Sequence, residues 1–151
     1  MKKIALAAAC ILAAPFAFAG PFDAFKGHMK PGMYESKVEM DMSGMAGLPP
    51  GMGKQSHTHQ HCITQKDIDD GSVARQGRQG KGKEGDCEIK DVKISGNTGT
   101  YRMVCPNMTG DTKITFNGNG YVTDMVMVSD HGGQKMTMKS HSESKYLGAC
   151  K

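Results

Sequence analysis

The sequence predicts a mainly β protein: an antiparallel meander of about seven strands curled into a barrel-like sheet, with one short helix and a cleaved N-terminal signal helix. Three observations carry that expectation. Successive segments alternate apolar and polar residues with the period of two that a half-buried strand requires. Short clusters of Gly, Asn and Asp separate most of them, as hairpin turns do. An N-terminal apolar stretch precedes a domain with an even number of cysteines, the composition of a small exported fold stapled by disulfides.

The leader comes first. Lys2 and Lys3 supply a positive start, Ile4 to Phe18 is an apolar run broken by Pro15, and Ala17-Phe18-Ala19 is a small-x-small cleavage site. The run is too short to span a bilayer, which takes roughly 20 apolar residues. Residues 1–19 therefore read as a signal peptide, 20–151 as one mature domain, and the expected destination is the periplasm. After cleavage, no later segment is long and apolar enough to cross a membrane.

The strands follow in order. Gly20 to Met29 is a lead-in with a helical turn around Phe22 and Phe25. From Tyr34 to Met42, Tyr34, Ser36, Val38, Met40 and Met42 share one parity, while Glu35, Lys37, Glu39 and Asp41 hold the other. Ser43 to Gly53 is a Gly/Pro-rich loop, and a second strand runs from Lys54 to Ile63. Thr64 caps a helical turn through Asp70, with Asp67 as the capping-box acid. Residues 75–86 hold four glycines, four basic residues and no apolar side chain, which predicts a flexible Gly/charged loop. Strands resume at Cys87–Ser95, Thr100–Cys105, Thr112–Phe116, Tyr121–Ser129 and Gln134–His141.

Of the five cysteines, Cys10 leaves with the leader, and Cys62, Cys87, Cys105 and Cys150 remain for two disulfides. In a simple meander, Cys62 and Cys87 lie at the same end of neighbouring strands. That geometry favours Cys62–Cys87 with Cys105–Cys150. The other arrangement closes Cys87–Cys105 across a hairpin and ties Cys62 to the tail.

Several motifs resemble a known family. Pro31-Gly32-Met33-Tyr34-Glu35 is similar to the Pro-Gly-Leu-Trp-Glu opening of the domain of unknown function 3617 family of exported bacterial proteins. Cys62-Ile63-Thr64-Gln65, Gly85-Asp86-Cys87, Cys105 before a Gly-containing turn, and Leu147-Gly148-Ala149-Cys150 add to the likeness. The resemblance implies a small exported β-rich domain and no settled activity.

Composition narrows the function classes. A formal net charge of +4, which falls further when Lys2 and Lys3 leave, is too close to neutral to imply nucleic acid. The absence of Trp and an aromatic content of 6% remove the usual base-stacking platforms. No Gly-x-Ser-x-Gly elbow, phosphate-cradling loop or dinucleotide fingerprint occurs, and the cysteines are expected to be oxidised. An enzyme is not expected, and no cofactor is required.

Two clusters could bind ligands. His57-Thr58-His59-Gln60-His61 places three imidazoles on one face of a strand, with His141 as a further donor, and imidazole suits copper or zinc. Met40, Met42 and Met45 form a soft-ligand run suited to Cu(I), similar to segments of exported copper-handling proteins. A four-residue turn at Asp130 to Gly133 would bring Met127 opposite Met136 and Met125 opposite Met138, an apolar patch that fills core space. The primary expectation is a non-catalytic binding or structural envelope protein, whose partner is a small apolar ligand, a peptide or another envelope protein. The alternative is a copper- or zinc-binding protein.

Overall fold

In a computed structural model, residues 25–42, 53–75 and 87–150 of the protein are described. The leader, Phe22, Met45 and residues 76–86 lie outside them. Seven strands form one open antiparallel sheet: β1 (Gly32–Asp41), β2 (Lys54–Ile63), β3 (Glu88–Ser95), β4 (Thr98–Cys105), β5 (Met108–Phe116), β6 (Gly120–His131) and β7 (Gln134–Gly148). A short helix, α1 (Gln65–Asp69), and a 3-10 turn (Ser72–Arg75) follow β2. The expected capping box is present. The Thr64 side chain accepts the Asp67 N–H, and the Asp67 carboxylate accepts the Thr64 N–H at 2.8 Å.

The sheet order is β2-β1-β7-β6-β5-β4-β3. Strands β3 to β7 are a meander, but β2 and β3 are opposite edges rather than neighbours. The cause is the length of β7. It runs beyond His141 to Gly148, and β1 pairs along that extension from Met33↔Gly148 to Asp41↔Lys139. The other side of β1 takes β2 over ten paired positions, Gly32↔Ile63 to Asp41↔Lys54.

This topology corrects the favoured disulfide pairing. The bridges are Cys62–Cys150 and Cys87–Cys105, with Cα–Cα distances of 5.6 and 4.1 Å. Met33 pairs with Cys62 on one side and with Gly148 on the other, so the tail has only to pass the start of β1 to reach Cys62. Gly32 makes that crossing possible. It has φ +155, and a Cβ there would strike the Gly148 carbonyl and the Tyr146 ring. Cys87 and Cys105 flank the β3–β4 hairpin, in which Glu88 faces Val104.

A second correction concerns the β6–β7 hairpin. Gly132 (φ +65) and Gly133 (φ +88) form a two-residue turn, with His131 opposite Gln134. The Asp130 carboxylate accepts the Gly133 N–H at 2.9 Å. Two adjacent glycines with positive φ allow the shorter loop, which slides the register by two residues. Met127 therefore faces Met138, Met125 faces Ser140, and Met136 faces Ser129.

Buried aromatic and aliphatic side chains gather at one end of the sheet. Phe25, Tyr101 and Phe116 form one cluster and Tyr34, Ile63 and Ile68 another, with Met29 and Tyr121 packed against both. The turn at Phe25–His28 lays the Phe25 ring directly over Gly99, where a Cβ would collide with it. The segment at 25–31 and helix α1 thus roof one end of the sheet. Among the described residues, nothing covers the rest of that face.

Candidate functional site

The open face is a groove of about 870 Å³, within the range of small-molecule sites. Its lining follows from strand alternation. On β1, Ser36, Val38 and Met40 point into it; on β7, Met138, Ser140, Ser142 and Ser144; on β6, Tyr121, Thr123, Met125 and Met127. The intervening residues carry the charge. Lys37–Glu39 (2.7 Å), Arg102–Asp111 (2.8 Å) and His141–Asp124 (2.7 Å) are ion pairs or hydrogen-bonded pairs on the opposite face. No Asp, Glu, Lys or Arg lines the groove among the described residues.

Its chemistry divides into zones. The roofed end is aromatic and aliphatic, with Phe25, Met29, Ile68 and Tyr121. A row of hydroxyls runs down β7 at the centre. Ser36 and Ser144 are buried, with their Oγ atoms 2.6 Å apart, and the Tyr121 hydroxyl bonds to both. Burial raises the Tyr121 pKa, keeping it a neutral phenol. This network satisfies the polar atoms that β1, β7 and β6 bring into the interior. Beyond it, Met40, Met125, Met127 and Met138 give a flexible apolar surface.

The fourth zone is the histidine ladder on edge strand β2. His57, His59 and His61 do share one face, and all three line the groove. The His57 and His59 rings stack with centroids 5.5 Å apart, and the His59 and His61 rings lie 5.3 Å apart, tilted by 31°. His61 also stacks on Tyr34 at 6.2 Å. Burial, and then the charge of His59, lower the His61 pKa. Its Nδ1 is buried without a hydrogen-bond partner among the described residues.

The proposed metal set does not assemble. His141 falls on the other face of the sheet, because Ser140 and Ser142 take the groove side of β7. There its Nδ1 lies 2.7 Å from Asp124 Oδ1, and that hydrogen bond raises its pKa. Met40 reaches the groove, but Met42 lies past the end of β1, where its N–H donates to the Gly53 carbonyl at 2.6 Å. Met45 is outside the described residues. Stacking of His57 on His59 turns ring faces, rather than nitrogen lone pairs, toward one another. Among the described residues no group of three His, Cys, Asp or Glu could hold a metal ion. The copper or zinc alternative is therefore not favoured.

The hydroxyl row was the part of the site that sequence reading missed. Ser140-His-Ser142-Glu-Ser144 keeps the strand alternation going beyond His141, and that signal extends β7 and assigns the three serines to one face.

A family model described as Protein of unknown function (DUF3617) matches residues 29–150. No curated protein and no solved structure matches the chain.

Proposed function

The chain belongs to the DUF3617 family of proteins of unknown function, and from that premise we propose that it is an exported, non-catalytic binding protein whose groove holds a small, largely apolar ligand. One observation carries the reading. In a chain with 23% charged residues, a groove of about 870 Å³ is lined without a single acidic or strongly basic side chain among the described residues. An apolar pocket with a few placed polar groups is the usual form of a small-molecule site. Hydroxyls at its centre give orientation, and the methionines accommodate chain shape.

Two disulfides point to a non-cytoplasmic protein. No helix among the described residues is long and apolar enough to cross a membrane. The leader over 1–19 supports delivery to the periplasm after cleavage near Ala19.

Neighbouring residues on opposite faces provide the test. Met125 lines the groove, whereas Val126 is 40% exposed on the other face. The neutral fluorophore N-phenyl-1-naphthylamine should bind the mature protein saturably. Met125→Glu should weaken that binding by about tenfold or more, because a carboxylate in an apolar site costs more than one such increment. Val126→Glu should leave it within twofold. Non-saturable binding, or equal losses in both variants, would remove the groove from consideration.

A further inference from the structure

Among the described residues, the histidine ladder has no charged counterpart on its own face. On β1, the ionisable side chain facing it is Tyr34, stacked on His61 and in turn packed against Tyr146 of β7 and Tyr121 of β6. The rest of the groove side of β1 and β7 is Ser36, Val38, Met40 and the serines. Helix α1 and the turn after it contribute Ile68, Gly71 and Val73 to the lining. The charges of α1 are engaged elsewhere: Lys66 pairs with Asp70 at 2.7 Å, and Asp67 is bonded to Thr64 and Ser72. Imidazole is the side chain that gains charge as pH falls from 8 to 5.5. Any positive charge the ladder gains sits on rings 5.3 to 5.5 Å apart with no carboxylate among the described residues lining the groove to balance it, and burial disfavours that charge on His61. A bound anion would supply the missing charge.

Resting on the groove reading above, we infer that the ligand is a single-chain amphiphile with a carboxylate head. The head sits against His57, His59 and His61, and the chain crosses β1 and β7 onto Met125, Met127 and Met138. The register places His57 level with Val38, Ser142 and Thr123, so a chain from His57 to Met125 runs diagonally, three inter-strand spacings (about 14 Å) across the sheet and two residues along β6. The route passes from imidazoles over hydroxyls to thioethers, so polarity falls along it as it falls along the ligand. Each neutral imidazole offers one N–H and each protonated one two, with no guanidinium among the lining residues. That donor set suits a singly charged carboxylate better than a phosphate, which is met by Arg forks and clustered backbone N–H groups.

Calorimetry on the disulfide-intact mature protein tests this with dodecanoate, dodecan-1-ol, dodecyl phosphate and acetate at pH 5.5 and 8. Dodecanoate should bind about tenfold more tightly at pH 5.5, the gain of one charge contact in a partly solvated site. Dodecan-1-ol should bind equally at both pH values, and acetate not measurably. His57→Gln/His59→Gln/His61→Gln should abolish the pH dependence and keep dodecan-1-ol binding. If that triple variant fails to fold, imidazole titration of the parent by NMR decides: dodecanoate should raise the ladder's pKa values and dodecan-1-ol should not.

Failures separate cleanly. Acid and alcohol binding alike at both pH values, or pH dependence surviving in the triple variant, overturns the carboxylate assignment and leaves the groove reading intact. Tighter binding of dodecyl phosphate than of dodecanoate, or of acetate as tightly as dodecanoate, overturns it as well. Binding of neither acid nor alcohol overturns the groove reading itself.

Discussion

Replacing Cys62 and Cys150 together with serine should lower the unfolding free energy by about 4–5 kcal/mol, against about 3 kcal/mol for Cys87→Ser/Cys105→Ser. The difference follows from loop size. The first bridge spans a sequence separation of 88 and the second one of 18, and the longer loop restricts the unfolded chain more. Topology strengthens the expectation. Cys62–Cys150 joins the end of β2 to the tail beyond β7, across the start of β1. It therefore locks the long-range pairing of the first strand, β1, with the last, β7. Cys87–Cys105 closes a hairpin already held by its own ladder. Urea unfolding of the two double variants measures the comparison through the midpoint, provided the slope is unchanged. Equal losses, or a greater loss at Cys87–Cys105, would contradict it.

Ile63→Ala should cost about 3–4 kcal/mol, in the middle of the range for a buried Ile truncated to Ala. Ile63 is 0% exposed, and it lies between Tyr34 of β1 and Ile68 of α1. The cavity cannot easily collapse, because three neighbours are fixed by other bonds. The Tyr34 hydroxyl donates to the Lys30 carbonyl at 2.9 Å, Ile68 sits in a capped helix, and Cys62 is bridged. The substitution should also loosen α1, which has few other contacts with the sheet. Hydrogen exchange at α1 should rise more than at β4 and β5. A loss below about 1 kcal/mol would show that the roof over this end of the groove packs less tightly than its burial implies. Ile63 adjoins Cys62, so combining the two changes should give a non-additive loss.

Local features were legible where local chemistry decides them. The second strand begins and ends where its alternation does, at Lys54 and Ile63, and the Thr64/Asp67 box fixes the start of α1. The seven-stranded antiparallel sheet followed from period-two runs separated by turn residues, whereas its open edges at β2 and β3 did not. What the sequence concealed is non-local. Nothing in residues 32–41 says that their partner is the far end of β7, and assuming sequential neighbours led directly to the wrong cysteine pairs. The β6–β7 turn was misread for a more local reason. Asp130-His131-Gly132-Gly133 supports either loop length, and only the positive φ of both glycines selects the shorter one.

The site shows the same division. The alternation of histidines placed all three on one face, as it had to. It did not show that their rings would stack, or that His141 would be turned away to Asp124 by the same alternation on β7. The methionine patch survived a register error, because a slip of two residues preserves the face while changing the partner. The groove itself depends on β1 docking beside β7. Only then do Ser36, Ser144 and Tyr121 meet at its centre.

The central claim is that this open face, and not the charged one, is where the protein meets its ligand. Methyl-labelled methionine tests it most directly, since five thioether methyls line the groove, four of them away from its roofed end, and report contact without any substitution. On titration with dodecan-1-ol, the signals of Met40, Met125, Met127 and Met138 should shift together with one dissociation constant, while Met33, which does not line the groove, stays in place. Shifts of similar size at Met33, or no saturable shift among the four, would contradict it.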